Sequence, residues 1–131
     1  MNIGEVAEAT GLPAKTIRFY ESEGLIETPK RSAGNYRLYD ARHVETLRFI
    51  HQARQLGFSV KEVAALVALW RDKRRASADV RRLALGHLDE IDARIAELKR
   101  MRQTLQGLVD RCHGDHRPDC PILAELAEEN H

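Results

Sequence analysis

The sequence predicts a mainly α fold in three parts: a compact helical front with a small hairpin, one long helix, and a short terminal loop. Three observations predict it. Short helix signals separated by Gly and Pro fill residues 1–75. A Pro-free apolar pattern with 3-4 spacing then runs from Ala78 to about Asp110, within a segment 76–110. Finally, two cysteines bracket a turn-rich stretch within residues 111–131.

At the front, Asn2 is a potential N-cap, with Glu5 three residues on and Ile3, Val6 and Ala7 along one face. Gly11-Leu12-Pro13 breaks that helix, and Pro13 suits the first turn of the next, over about 13–22. This second helix carries Lys15, Thr16, Arg18 and Tyr20 outward beside an inward Ile17. Two short helices joined by a tight Gly turn make a helix-turn-helix. Leu25-Ile26-Glu27 and Tyr36-Arg37-Leu38-Tyr39 read as two strands around a basic turn holding Lys30, Arg31, Gly34 and Asn35, and that hairpin is a wing. In a winged helix-turn-helix the second helix enters the major groove of double-stranded DNA while wing side chains reach phosphates. Lys15, Thr16, Arg18, Tyr20, Arg31, Asn35, Tyr36 and Arg37 are therefore the candidate DNA-binding residues. Tyr39 reads instead as hairpin packing.

Asp40 can cap a helix to about Leu56 with Val44, Leu47, Ile50 and Ala53 inward and Gly57 as its stop. Arg54, on its polar side, either adds a phosphate contact or stays solvated. Ser59 and Glu62 form a capping box that opens a further helix to about Trp70. The charge balance agrees with a polyanion partner at this end: residues 1–75 hold 13 Lys/Arg against 9 Asp/Glu, whereas 76–131 hold 8 against 11.

In the long helix, Leu88, Ile95 and Val109 fall at a and Ala84, Ile91, Leu98 and Leu105 at d, with Arg102 as the one charged a position. A helix of about 33 residues spans roughly 50 Å, more than the front can cover. A second copy is the economical cover, so an antiparallel coiled-coil homodimer is expected. Two-fold symmetry also suits palindromic DNA sites.

Cys112 and Cys120 bracket His113-Gly114-Asp115-His116-Arg117-Pro118-Asp119, and a short helix is expected over about 122–129. Thiolates are soft donors, so the pair favours soft metals. Two of them complete a linear site for a d¹⁰ monovalent ion: Cu(I), Ag(I) or Au(I). With His113 and His116 they can instead make a zinc set, although so short a loop strains to converge four tetrahedral ligands. A thiol redox pair is the third reading. No apolar run is long enough to cross a bilayer and no signal peptide is visible, so no membrane partner and a cytoplasmic location are expected. No general acid-base constellation marks an enzyme.

The assembled residues resemble the MerR family of regulators along essentially the whole chain. Asn2-Ile3-Gly4-Glu5-Val6-Ala7, Thr16-Ile17-Arg18-Phe19-Tyr20-Glu21, Gly24-Leu25-Ile26, Tyr36-Arg37-Leu38-Tyr39 and Ile50 through Ser59 carry the likeness. Within the family the chain is most similar to copper-efflux regulators of the CueR or HmrR type. The features are Cys112 and Cys120 with Cys-Pro-Ile following, and Ser77-Ala78-Asp79-Val80 opening the long helix. The resemblance implies that divalent-ion sensors carry a partner-donated cysteine where Ser77 stands, which leaves a two-thiolate site here. Ser77 is equally suited to cap the helix. The resemblance also places Arg81 beside the metal, where some copper sensors have a lysine. It implies a dimer that, on metal capture, distorts a promoter with an overlong spacer for RNA polymerase.

Overall fold

A computed structural model of the chain describes residues 1–128. Its helices are α1 (Ile3–Thr10), α2 (Ala14–Ser22), α3 (Ala41–Gln55), α4 (Val60–Arg71), α5 (Ser77–Arg111) and α6 (Pro121–Leu126), with strands β1 (Lys30–Arg31) and β2 (Arg37–Leu38) between α2 and α3. They fall into two units, Met1–Leu83 and a second beginning at Ala84.

Local chemistry sets the helix starts in the first unit. The Asn2 side chain accepts from the Glu5 amide at 2.8 Å, and the Glu5 carboxylate accepts from the Asn2 amide at 2.9 Å. Ser59 and Glu62 repeat the device on α4. On α3 a histidine takes the glutamate's part. Asp40 accepts from the amides of Arg42 and His43, and His43 Nδ1 accepts from the Asp40 amide at 3.1 Å. His43 Nε2–H then donates to the Glu27 carbonyl at 2.9 Å, which ties the loop after α2 to α3. Gly11, at φ 74°, ends α1 in the left-handed conformation that glycine adopts most cheaply.

These starts let one core close. Val6, Ile17, Leu47, Ile50 and Val63, from α1, α2, α3 and α4, are fully buried together. At the far edge Phe49 and Trp70 stack with centroids 4.4 Å apart, and Arg71 lies over Trp70 while donating to Thr46. Leu83 packs on the same core, so the start of α5 belongs to the first unit.

The wing is shorter than expected and displaced. Leu25-Ile26-Glu27 is not a strand: Leu25 and Ile26 are adjacent yet both buried. Side chains on a strand alternate between faces, so this stretch packs as a loop after the Gly24 turn, which has φ 76°. The strand forms instead at Lys30–Arg31 and pairs antiparallel with Arg37–Leu38, Lys30 opposite Leu38. Asn35 closes the turn at φ 65°, a conformation that asparagine tolerates better than most side chains.

In the second unit, Leu88, Ile95, Leu98, Leu105 and Val109 of α5 are 45–58% exposed, and Arg102 is exposed as well. The helix begins at Ser77, so Ser77 is its first residue and not its cap. α6 stops at Leu126, short of the expected end near residue 129, which itself lies outside the described residues. Among the described residues no helix is long and apolar enough to cross a membrane.

Candidate functional site

Among the described residues, one group of side chains that bears on the expected chemistry lies in the first unit and another in the second. The first is a cleft bordered by Asn2, Arg18, Arg31, Asn35, Tyr36 and Arg37. It exists because the β1–β2 turn folds back beside the outward face of α2. Lys15 and Arg18 are exposed on α2 and Thr16 is half-buried. Tyr36 is 74% exposed, an unusual cost for a large ring with no contact partner in the core. Arg31 Nη1 donates to the Asn35 carbonyl at 3.2 Å, which stiffens the turn.

The expectation for Tyr20 is corrected. It is only 6% exposed and belongs to the core, because its position on α2 follows Ile17 by three and so shares the inward face. Phe19 is the exposed ring of that helix, at an angle of 52° to Tyr20. Arg54 has a structural use as well: Nη1 donates to the Phe58 carbonyl at 2.7 Å and closes the α3–α4 turn. Tyr39 is packing, as expected, at 2% exposure.

Sequence reasoning missed Glu21. Its carboxylate accepts from Arg37 Nε at 3.2 and 3.3 Å and from the Tyr39 hydroxyl at 2.9 Å. Burial, then the hydrogen bond to Glu21 and its charge, push Tyr39 up to about 12, so the hydroxyl keeps its proton and stays a donor. The available signal was a carboxylate on a basic surface.

The second group is the cysteine pair. Cys112 follows the last residue of α5 and Cys120 precedes α6, both half-buried, with their sulfurs 3.9 Å apart. Eight positions of separation are closed by Gly114 at φ 65° and by Asp115, whose carboxylate accepts from the Arg117 amide at 2.9 Å and pairs with its guanidinium. Cys120 makes no cap hydrogen bond of ordinary length. The Leu123 amide, then that of Ile122 and the Cys112 thiol, nevertheless hold it below the usual thiol range, against burial and Asp119. A metal–sulfur bond of about 2.3 Å puts two sulfurs about 3.8 Å apart at a tetrahedral angle and about 4.6 Å apart in a line. The observed 3.9 Å suits a shared metal ion and lies close to the bent arrangement, so linear two-coordination requires the sulfurs to part by about 0.7 Å. His113 and His116 are both exposed on the loop. Ser77 and Arg81 are exposed in the first two turns of α5.

Residues 1–69 match the MerR HTH family regulatory protein family, and residues 44–108 match the MerR, DNA binding family. HmrR, an HTH-type transcriptional regulator of Rhizobium leguminosarum bv. viciae, is 56% identical over 128 residues, covering 98% of this chain and 98% of its own. Heavy metal-dependent transcription regulator 2 of Rhizobium meliloti is 50% identical over 97% of this chain and 86% of its own. Among solved structures, the transcription regulator PbrR691 of Ralstonia metallidurans, in complex with lead(II), superposes with a TM-score of 0.84 at 34% identity over 97% of this chain and 99% of its own. These relatives are regulators, not enzymes, and the likeness runs from the capped α1 to the end of the long helix: the chain belongs to the MerR family of helix-turn-helix transcriptional regulators.

Proposed function

We propose that this protein is a metal-responsive regulator that binds promoter DNA as a homodimer and activates metal-efflux genes when Cys112 and Cys120 capture Cu(I), Ag(I) or Au(I). The observation that carries the metal reading is the pair of half-buried thiols with sulfurs 3.9 Å apart, one of them biased toward thiolate. Soft anionic sulfur is the donor that monovalent d¹⁰ ions prefer. Two thiolates satisfy such an ion, whereas structural zinc draws four ligands. The regulators named for heavy metal and found with lead(II) support metal response as the general class.

The uncovered stripe on α5 supports the homodimer. Five large apolar side chains at heptad positions, each about half exposed, stay costly in water until a second copy covers them. An antiparallel pairing brings the start of one α5 toward the end of the other. Ser77 and Arg81 of the partner subunit would then adjoin the cysteine loop. A serine there withholds a third thiolate, and Arg81 offsets the negative charge of a bis-thiolate monovalent complex. On DNA, Lys15, Arg18, Arg31, Tyr36 and Arg37 face the duplex, with Thr16 and Asn35 as short polar contacts. Ordering of the loop by metal would shift the two DNA-binding units and distort the promoter for RNA polymerase. Deforming a site costs a few kcal/mol, the scale of an allosteric coupling of about 1–3 kcal/mol.

An anaerobic titration of the reduced protein with Cu(I) and, separately, Zn(II), each against a competing chelator, tests this. Tight Cu(I) binding that Cys112→Ser or Cys120→Ser abolishes, with weak zinc binding, is the expected result. Tight zinc binding that needs His113 or His116 overturns the monovalent assignment. Tight binding of neither redirects the pair to thiol redox sensing.

A further inference from the structure

A carboxylate inside a phosphate-binding surface needs a reason. Glu21 stands on α2, the helix that also carries Lys15 and Arg18, and its negative charge repels the polyanion those residues attract. Its side chain is only 13% exposed, so it is not a solvated bystander. Both oxygens are taken up by the wing: Arg37 Nε approaches each at 3.2 and 3.3 Å, and the Tyr39 hydroxyl donates to one at 2.9 Å. These contacts join residues 16 and 18 positions apart in the chain.

The way Arg37 is held is informative. A guanidinium offers five N–H donors in a rigid plane. Glu21 engages the Nε edge, and among the described residues no hydrogen bond occupies either terminal nitrogen of Arg37. The side chain is 35% exposed and borders the cleft shared with Arg18 and Arg31. We propose that Glu21 is a positioning residue for DNA: it clamps Arg37 by one edge so that the other edge meets a backbone phosphate at the junction of α2 and the wing. Tyr39, buried beneath, fixes the carboxylate in turn. A loose arginine would lose side-chain freedom at each binding event, and Glu21 removes that cost beforehand.

This rests on the DNA-binding reading above, and the test keeps the two apart. Phosphate contact is independent of sequence, so the probe is a short fluorescent duplex of mixed sequence, titrated by anisotropy at several salt concentrations. Glu21→Gln keeps the shape while removing the charge. A merely electrostatic Glu21 predicts that Glu21→Gln binds DNA more tightly. A positioning Glu21 predicts binding weaker by roughly three- to tenfold, with the salt slope reduced by up to about 0.9, the worth of one phosphate contact. In an Arg37→Gln background, Glu21→Gln should then cause no further loss. Tighter binding by Glu21→Gln, or an equal loss with and without Arg37, overturns the inference while DNA binding stands. Failure of the unaltered protein to bind the duplex at low salt overturns the DNA reading and this inference with it. Tyr39→Phe, which keeps the buried ring and removes only the donor, should weaken binding in the same direction by a smaller factor; if Glu21→Gln does not fold, unchanged binding by Tyr39→Phe overturns the inference.

Discussion

The front unit and the long helix bury their apolar side chains in opposite ways. Fourteen residues of the front form one closed core, and Val6, Ile17, Leu47, Ile50 and Val63 within it leave no accessible surface. On α5, 35 residues long, only His87 and Leu108 are buried in the single chain. The front obtains its stability from contacts within one chain, since its short helices cross and cover one another. Most of the long helix is left exposed in the single chain, so in the proposed homodimer its stability would be bound to that of the assembly. In the proposed sensor, the unit that reads DNA keeps its shape while the pair of long helices is left able to shift.

Changing the seam should show the contrast most strongly. In the proposed homodimer, Leu98→Asp replaces a seam side chain whose burial is worth about 1.5–3 kcal/mol, twice per dimer, with a charge. The dimer dissociation constant should rise by at least roughly a hundredfold, read by sedimentation. The melting temperature should lose its dependence on protein concentration. A Leu98→Asp protein that stays dimeric would mean that α5 is covered elsewhere. The next effect lies in the front. Ile50→Ala should destabilise by about 2–5 kcal/mol, measured by urea unfolding, with the loss independent of protein concentration. A concentration-dependent loss would show that the two units do not fold separately.

The smallest effect concerns the cap of α3. The His43 amide, first among several causes, holds the Asp40 carboxyl below its ordinary value. A lowered folded-state value means that the unfolded chain binds the proton more tightly. The stabilisation is therefore present above the ordinary carboxylate range and lost as pH falls through the folded value. Asp40→Asn keeps a good cap and removes the charge. It should be slightly less stable than the unaltered protein at neutral pH, with the gap closing in acid. A gap that persists unchanged in acid would assign the effect to geometry and not to charge.

How much of this was legible beforehand depended on distance along the chain. The capping boxes of Asn2 with Glu5 and Ser59 with Glu62 were readable because both partners sit three residues apart. The apolar stripe of the long helix and the turn between the two cysteines are likewise local in the chain. The first wing strand was misplaced because Leu25 and Ile26 look β-prone, while the Gly24 turn that carries both into the core acts through tertiary packing. Tyr20 looked polar enough for the surface, although its place three residues after Ile17 already put it on the inward face of α2 and left Phe19 outside.

By itself the sequence determined the helices and where most begin, the apolar stripe along the long helix, and the two soft donors on either side of a turn. Each of these is a local matter of caps, period and donor chemistry. Tertiary structure alone decided which edge of Arg37 is taken, which carboxylate takes it, and how close the two sulfurs come. Those depend on where separate segments meet once the core has closed, and spacing along the chain does not record that.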